Sequence, residues 1–91
     1  MQNAIDVSIK REEGGSTATV RVNASGEKTE HIVRIADEDL ERYGATDPID
    51  LVRRSFEFLL EREPATSILR EFRITDIERY FPEYPTVILA R

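Results

Sequence analysis

The first third of the chain alternates between apolar and polar residues, and this pattern constrains the fold more than any other feature of the sequence. Successive side chains of a β-strand point to opposite faces, so a period of two indicates a strand with one buried face. Three such segments follow one another, near residues 3–11, 17–24 and 29–35. Their inward sets are Ile5, Val7 and Ile9, then Ala18, Val20, Val22 and Ala24, then His31, Val33 and Ile35. Glycine-containing turns separate them, so we predict a three-stranded antiparallel meander.

A helical pattern begins at Asp47. Aspartate followed by proline is a typical helix start, because the carboxylate accepts from free N–H groups and proline fits the first turn. We predict a helix over residues 48–63, which Pro64 ends. At 100° per residue, one stripe of this helix faces the sheet: Ile49, Val52, Phe56, Leu59 and Leu60.

The rest of the chain is predicted to form shorter elements. A brief helix follows Asp37 and stops before Gly44, and two more are predicted at residues 67–72 and 75–81. The last of these begins with a capping pattern from Thr75 to Glu78. Residues 83–91 include an apolar run without polar alternation, which indicates either an added strand or a docking tail.

These elements together predict one α+β domain over residues 1–91. With 91 residues, 40% hydrophobic and 34% charged, the chain can build one core and not two. We expect two layers: a three-stranded antiparallel meander, or a four-stranded sheet if the C-terminal segment adds a strand, covered on one face by one long and two or three short helices.

The long helix carries more apolar surface than one sheet can cover. Leu51, Ser55 and Phe58 extend its apolar arc to roughly 200°, well beyond the ~100° that a single packing face needs. We predict these three residues as a protein-binding surface, because uncovered apolar helix surface marks an interface. The alternative is packing within the chain against the two short helices that follow.

No combination of residues indicates catalysis, a cofactor or a metal. His31 is the only histidine and cysteine is absent, so any metal site would need carboxylates for its other ligands. The acidic run of residues 37–41 lacks the spacing of a calcium loop and is better explained as favourable charge at a helix start. We expect His31 to be a hydrogen-bonded structural histidine, and no small-molecule ligand is indicated.

Binding to nucleic acid or membrane is also not expected. The formal net charge of −5 repels phosphate groups at long range. The arginines near the two short helices faintly suggest a helix-turn-helix, but acidic residues of the same segment offset them. The first ten residues already include a charged side chain at Asp6, so neither a signal peptide nor a transmembrane span is expected.

The helical half of the chain resembles a set of small uncharacterised prokaryotic proteins. The similarity lies in residues 55–64 (SFEFLLEREP), 67–72 (SILREF) and 77–82 (IERYFP), and it covers about half of the chain. It implies a prokaryotic source and a helical block after a strand-rich start. Those proteins have no assigned activity, so the resemblance supplies no functional residues.

We therefore expect a non-enzymatic, cytoplasmic interaction or regulatory module that acts with a protein partner or as a homodimer. Two alternatives remain open. One is a small acid-base or hydrolytic enzyme that uses His31 with a carboxylate brought near by the fold. The other is an antitoxin-like or transcriptional component that binds DNA through its arginines after dimerising.

Overall fold

The computed structural model describes residues 4–90 and shows a four-stranded mixed sheet with four α-helices packed on one face. The strands are β1 (Ala4–Glu12), β2 (Gly15–Ala24), β3 (Glu27–Ala36) and β4 (Glu71–Arg73), in that order across the sheet. The helices are α1 (Asp37–Arg42), α2 (Pro48–Leu60), α3 (Ile77–Tyr80) and α4 (Tyr84–Ala90). This architecture confirms the predicted α+β class and a fourth strand, which comes from Glu71–Arg73, pairs parallel with β3 and does not belong to the C-terminal segment.

The predicted meander is confirmed in β1, β2 and β3, which pair antiparallel. All four inward residues of β2 are buried, whereas the alternate residues between them are partly or fully exposed. Ser25 (φ 54°) and Gly26 (φ 80°) form the turn between β2 and β3. Two consecutive positive φ values suit the right-handed twist of the flanking strands, which is why a short polar residue and a glycine stand there.

Helix α2 begins as predicted and ends earlier. The Asp47 carboxylate accepts a hydrogen bond from the Ile49 N–H at 2.9 Å, and Pro48 occupies the first turn. The helix stops at Leu60 instead of residue 63, because the N–H groups of both Arg62 and Glu63 donate to the Leu59 carbonyl. The chain then tightens into a turn before Pro64.

The predicted helix at residues 67–72 is wrong. Residues Ala65–Ser67 form one 3₁₀ turn, and Glu71–Arg73 pair parallel with the outer edge of β3. The Ile32 N–H donates to the Arg70 carbonyl at 2.6 Å, and Phe72 lies beside Val33 with both side chains buried. This segment therefore pairs with the open edge of β3 instead of forming a helix. The suggested helix-turn-helix has no first helix.

The next short helix is present but begins differently from the predicted capping pattern. A 3₁₀ turn over Ile74–Asp76 precedes α3, and the Asp76 carboxylate accepts from the Arg73 N–H at 3.0 Å. Glu78 does not cap: its carboxylate accepts from the guanidinium of Arg42 at 2.8 and 2.9 Å and from the Tyr43 hydroxyl. Those contacts tie α3 to the end of α1.

Of the two forms predicted for residues 83–91, the added strand is wrong, because Tyr84–Ala90 form a helix, α4, that docks on the core. In α4, Tyr84 and Ile88 are fully buried and lie on one helical face. The Arg54 guanidinium donates to the Ile88 carbonyl at 3.1 Å, which fastens α4 to α2. None of the helices in residues 4–90 is long and apolar enough to cross a membrane.

Candidate functional site

The predicted protein-binding surface of Leu51, Ser55 and Phe58 is part of the core. All three side chains are 0% exposed. Ser55 donates to the Leu51 carbonyl at 2.7 Å and shares a 2.6 Å hydrogen bond with the Tyr84 hydroxyl. Phe58 packs edge-to-face on Phe81 and Tyr84, with ring centroids at 5.8 and 5.2 Å. The extra apolar arc of α2 is covered mainly by α4, so this prediction of an exposed interface was wrong.

His31 is buried, and both of its ring nitrogens are hydrogen-bonded. Nδ1 lies 2.8 Å from the Leu69 carbonyl oxygen and Nε2 lies 2.9 Å from the Thr29 hydroxyl. Because a carbonyl only accepts, Nδ1 carries the proton of that bond. The Phe56 ring packs beside the imidazole at a centroid distance of 5.2 Å. Through these contacts His31 links β3 to the segment before β4, as expected for a structural histidine.

A polar cavity of about 530 Å³ lies next to His31, and Glu30 and Glu71 also line it. Neither carboxylate contacts the imidazole. Glu30 pairs with Arg21 at 3.0 Å and Glu71 pairs with Arg34, on the sheet face away from the helices. A general base needs a free nitrogen within reach of a substrate proton and an orienting acid, and neither condition is met here.

The helix layer contains an apolar groove of about 390 Å³ between the end of α2, β4 and α3. Its floor consists of four buried side chains, which are at most 7% exposed: Leu59, Ile68, Phe72 and Ile77. Its walls include Leu69 and Tyr80, whose exposed fractions are 50% and 66%. Single exposed apolar residues are common, but apolar side chains that are exposed around a groove with a buried apolar floor mark a binding site, so the groove is the strongest candidate.

The groove exists because the chain leaves α2 abruptly. Pro64 has an extended conformation (ψ 155°) and the next residues turn at once, with the Ser67 N–H donating to the Pro64 carbonyl at 2.9 Å. The chain then has to reach the edge of β3 to form β4. Ile68 and Leu69 lie in this crossing, and only Ile68 points into the core. Leu69 is left at the surface while its carbonyl is held by His31.

The rim of the groove is acidic. Glu63, Asp76 and Ser67 line it, and no lysine or arginine is among its lining residues within the described range 4–90. Glu63 is partly buried, and its side-chain carboxylate has neither a hydrogen bond nor an ion pair with another described residue. Burial raises the pKa of its carboxyl above the ordinary value, because no positive group offsets the lost hydration.

The sequence alone did not indicate this site. Leu69 and Tyr80 lie in segments for which helices were predicted, and their exposure follows from the course of the chain around β4. The composition did carry a signal. Ile68 and Leu69 are adjacent apolar residues, and the structure buries only Ile68. Phe72 and Ile74 are buried on either side of the exposed Arg73, and this short period-two alternation is typical of an extended segment.

Among residues 4–90, no three histidine or acidic side chains cluster as a metal site would require. No protein-family model, curated protein or solved structure matches the chain. The functional argument therefore rests on the geometry and charge of the groove.

Proposed function

We propose that the chain is a non-enzymatic, cytoplasmic protein-interaction module whose groove binds a short apolar segment carrying a lysine or arginine. The observation behind this proposal is the composition of the groove. Leu69 and Tyr80 are exposed above a buried apolar floor, and the Glu63 carboxylate beside them has no partner.

The apolar part of the groove supplies the affinity. Leu69 and Tyr80 lose contact with water when a partner covers them, at roughly 25 cal/mol per Å² of apolar surface buried. Tyrosine is suited to this role because its ring packs against apolar groups while its hydroxyl stays hydrated. The floor of Leu59, Phe72 and Ile77 is already ordered by the core, so little conformational entropy is lost on binding.

The carboxylate supplies the selectivity. Glu63 is partly desolvated without compensation, and a cation placed beside it would relieve that cost. Asp76 adds a second negative charge to the rim, and the net charge of −5 attracts cationic segments at longer range. A segment with an acidic residue at the same place would be repelled.

The experiment is selection of random twelve-residue peptides displayed on phage, followed by calorimetric titration of the enriched peptides. We expect enriched sequences to combine large apolar residues with at least one lysine or arginine. Leu69→Asp should weaken binding more than tenfold, because it places a charge in the apolar wall. Glu63→Gln should weaken binding of the basic peptide roughly fivefold, which corresponds to about 1 kcal/mol for a partly buried ion pair.

The matched control is Leu89→Asp. Leu89 is 57% exposed on α4 and does not line the groove, so this variant introduces the same charge elsewhere. It should bind the peptide within twofold of the unmodified chain. Equal loss in both leucine variants, or enrichment of peptides without basic residues, would contradict the proposal.

A further inference from the structure

Among residues 4–90, β1 forms one edge of the sheet. β1 is the first strand of the sheet, and no strand within residues 4–90 pairs with its far side. It has nine residues, whereas β4 at the opposite edge has three. Long open edges are usually shortened, bulged or covered in proteins that stay monomeric, and β1 pairs with β2 without a bulge.

The hydrogen-bonding pattern of the sheet identifies which groups of β1 face outward. A two-residue turn joins Ala24 to Glu27, and such a turn is closed by a hydrogen-bonded pair. Bonded and non-bonded pairs alternate along each ladder, so even-numbered residues of β2 bond to β3 and odd-numbered ones to β1. Ser8 lies opposite Thr19 and therefore bonds to β2. The outward N–H and C=O groups belong to Ile5, Val7, Ile9 and Arg11.

The side chains along this edge are incompletely buried. Ile5, Val7 and Ile9 point to the helix side of the sheet, but each stays partly exposed, unlike the fully buried Val20 of β2. A further strand at this edge would cover their outer sides. The edge therefore offers unpaired backbone groups and apolar surface together.

The polar face of β1 is complementary to a second copy of itself. Asp6 and Lys10 lie two residues on either side of Ser8, and neither forms an ion pair within the described part of the chain. In an antiparallel pair centred on Ser8, Asp6 of one copy lies opposite Lys10 of the other, twice. Val7 then lies opposite Ile9, and both belong to the outward-bonding set.

We propose that two copies of the chain associate along β1, antiparallel, about a two-fold axis at Ser8. The two sheets become one continuous sheet with the helices of both copies on the same side. The interface is self-complementary, as two-fold symmetry requires, and two Asp6–Lys10 contacts fix its register. This association uses a surface separate from the groove and does not depend on the peptide-binding proposal.

The register can be tested by cross-linking, because the chain has no cysteine. Two Ser8 residues facing each other in a non-hydrogen-bonded pair have Cα atoms about 4.5 Å apart, within the range that a disulfide spans. Ser8→Cys should give a covalent dimer on mild oxidation at micromolar concentration. Thr19→Cys is the matched control: it lies on the same face at the same level, one strand further in, and should remain monomeric on a denaturing gel.

The association itself is tested by sedimentation equilibrium of the cysteine-free chain. We expect a dimer whose dissociation constant rises roughly tenfold or more in Asp6→Lys and in Lys10→Asp, because two attractive contacts become repulsive. The double variant Asp6→Lys with Lys10→Asp should return to within about threefold of the unmodified chain. Circular dichroism establishes that each variant is folded.

Three results would overturn the proposal. The first is a monomer at all concentrations up to about 0.5 mM. The second is a dimer that neither charge reversal weakens, and the third is equal cross-linking of Ser8→Cys and Thr19→Cys. A dimer that dissociates in Leu69→Asp but not on charge reversal would place the interface in the groove instead.

Discussion

Truncation of Phe58 to alanine is expected to destabilise the fold strongly without changing its state of association. Phe58 is fully buried and packs between Phe81 of the α3–α4 connection and Tyr84 of α4. The guanidinium of Arg62 also lies over the Phe58 ring, with its central carbon 3.6 Å from the ring centroid. The variant therefore opens a cavity between α2 and α4, where the sequence pattern had suggested a free surface.

The expected cost is about 4 kcal/mol. Phe→Ala substitutions in cores cost about 3–5 kcal/mol in transfer and cavity terms, and the two edge-to-face ring contacts favour the middle or upper part of that range. A chain of this length has a total stability of roughly 5–14 kcal/mol. Phe58→Ala should therefore remain folded in water at 25 °C with a greatly reduced margin, whereas Phe58→Leu should lose at most about 1.5 kcal/mol.

Urea denaturation followed by circular dichroism measures these losses, with light scattering of the folded variants beside it. Leu89→Ala is the control, because Leu89 is 57% exposed and should change the free energy of unfolding by less than about 0.5 kcal/mol. The reasoning is refuted if Phe58→Ala costs less than about 1 kcal/mol and converts a dimer into a monomer. That outcome would make Phe58 an interface residue.

Three further predictions concern the packing and the sheet. Ser55→Ala should lower the free energy of unfolding by about 1–3 kcal/mol in urea denaturation, because the buried Tyr84 hydroxyl loses its partner; a smaller effect than in Tyr84→Phe would contradict this. Burial raises the pKa of Tyr43 and Tyr84 above the ordinary value near 10. Their contribution to the free energy of unfolding is therefore complete below pH 10 and is lost as the pH rises above it. In alkaline denaturation Tyr84→Phe should lose less stability over this range than the unmodified chain does, and an unchanged loss would exclude Tyr84 as a cause. Gly15→Ala should cost about 1–3 kcal/mol by the same urea assay, because a Cβ there collides with the Ile35 carbonyl oxygen across the β2–β3 pair, and a neutral effect would show that the strands can move apart.

The parts of the fold that local chemistry determines were predictable. Alternation and glycine turns specify β1 to β3, because each strand carries its own pattern and its turn in adjacent residues. The start of α2 is similarly local, since Asp47 and Pro48 act on the first turn alone. In α1 the N-cap residue is Ala36 and not Asp37, and the Asp39 carboxylate accepts from the Ala36 N–H at 2.8 Å, so that helix starts one residue earlier than expected.

The parts that depend on distant contacts were not predictable from local pattern. β4 has three residues and forms because β3 offers an open edge, and no property of residues 71–73 shows that edge. The helix α4 did leave a signal: Pro85 suits a first helical turn, and Tyr84 and Ile88 have the i,i+4 spacing of one helical face. Its β-branched residues concealed that signal by favouring a strand.

The groove also depends on contacts between residues that are far apart in the sequence. Leu69 is exposed because its backbone is drawn toward His31 and β3, and Tyr80 is exposed because α3 ends with it. Neither fact follows from the hydrophobicity of the segment. The site could be found only after the path from Pro64 to β4 was known.

The most direct test of the proposed function is a nuclear magnetic resonance titration of the ¹⁵N-labelled chain with an enriched basic-apolar peptide. The groove proposal predicts that the largest amide shift changes occur at Glu63, at residues 67–72 and at residues 76–81, and that Leu69→Asp abolishes them. Shift changes confined to β1, or to the sheet face away from the helices, would contradict the proposal and place peptide recognition on another surface.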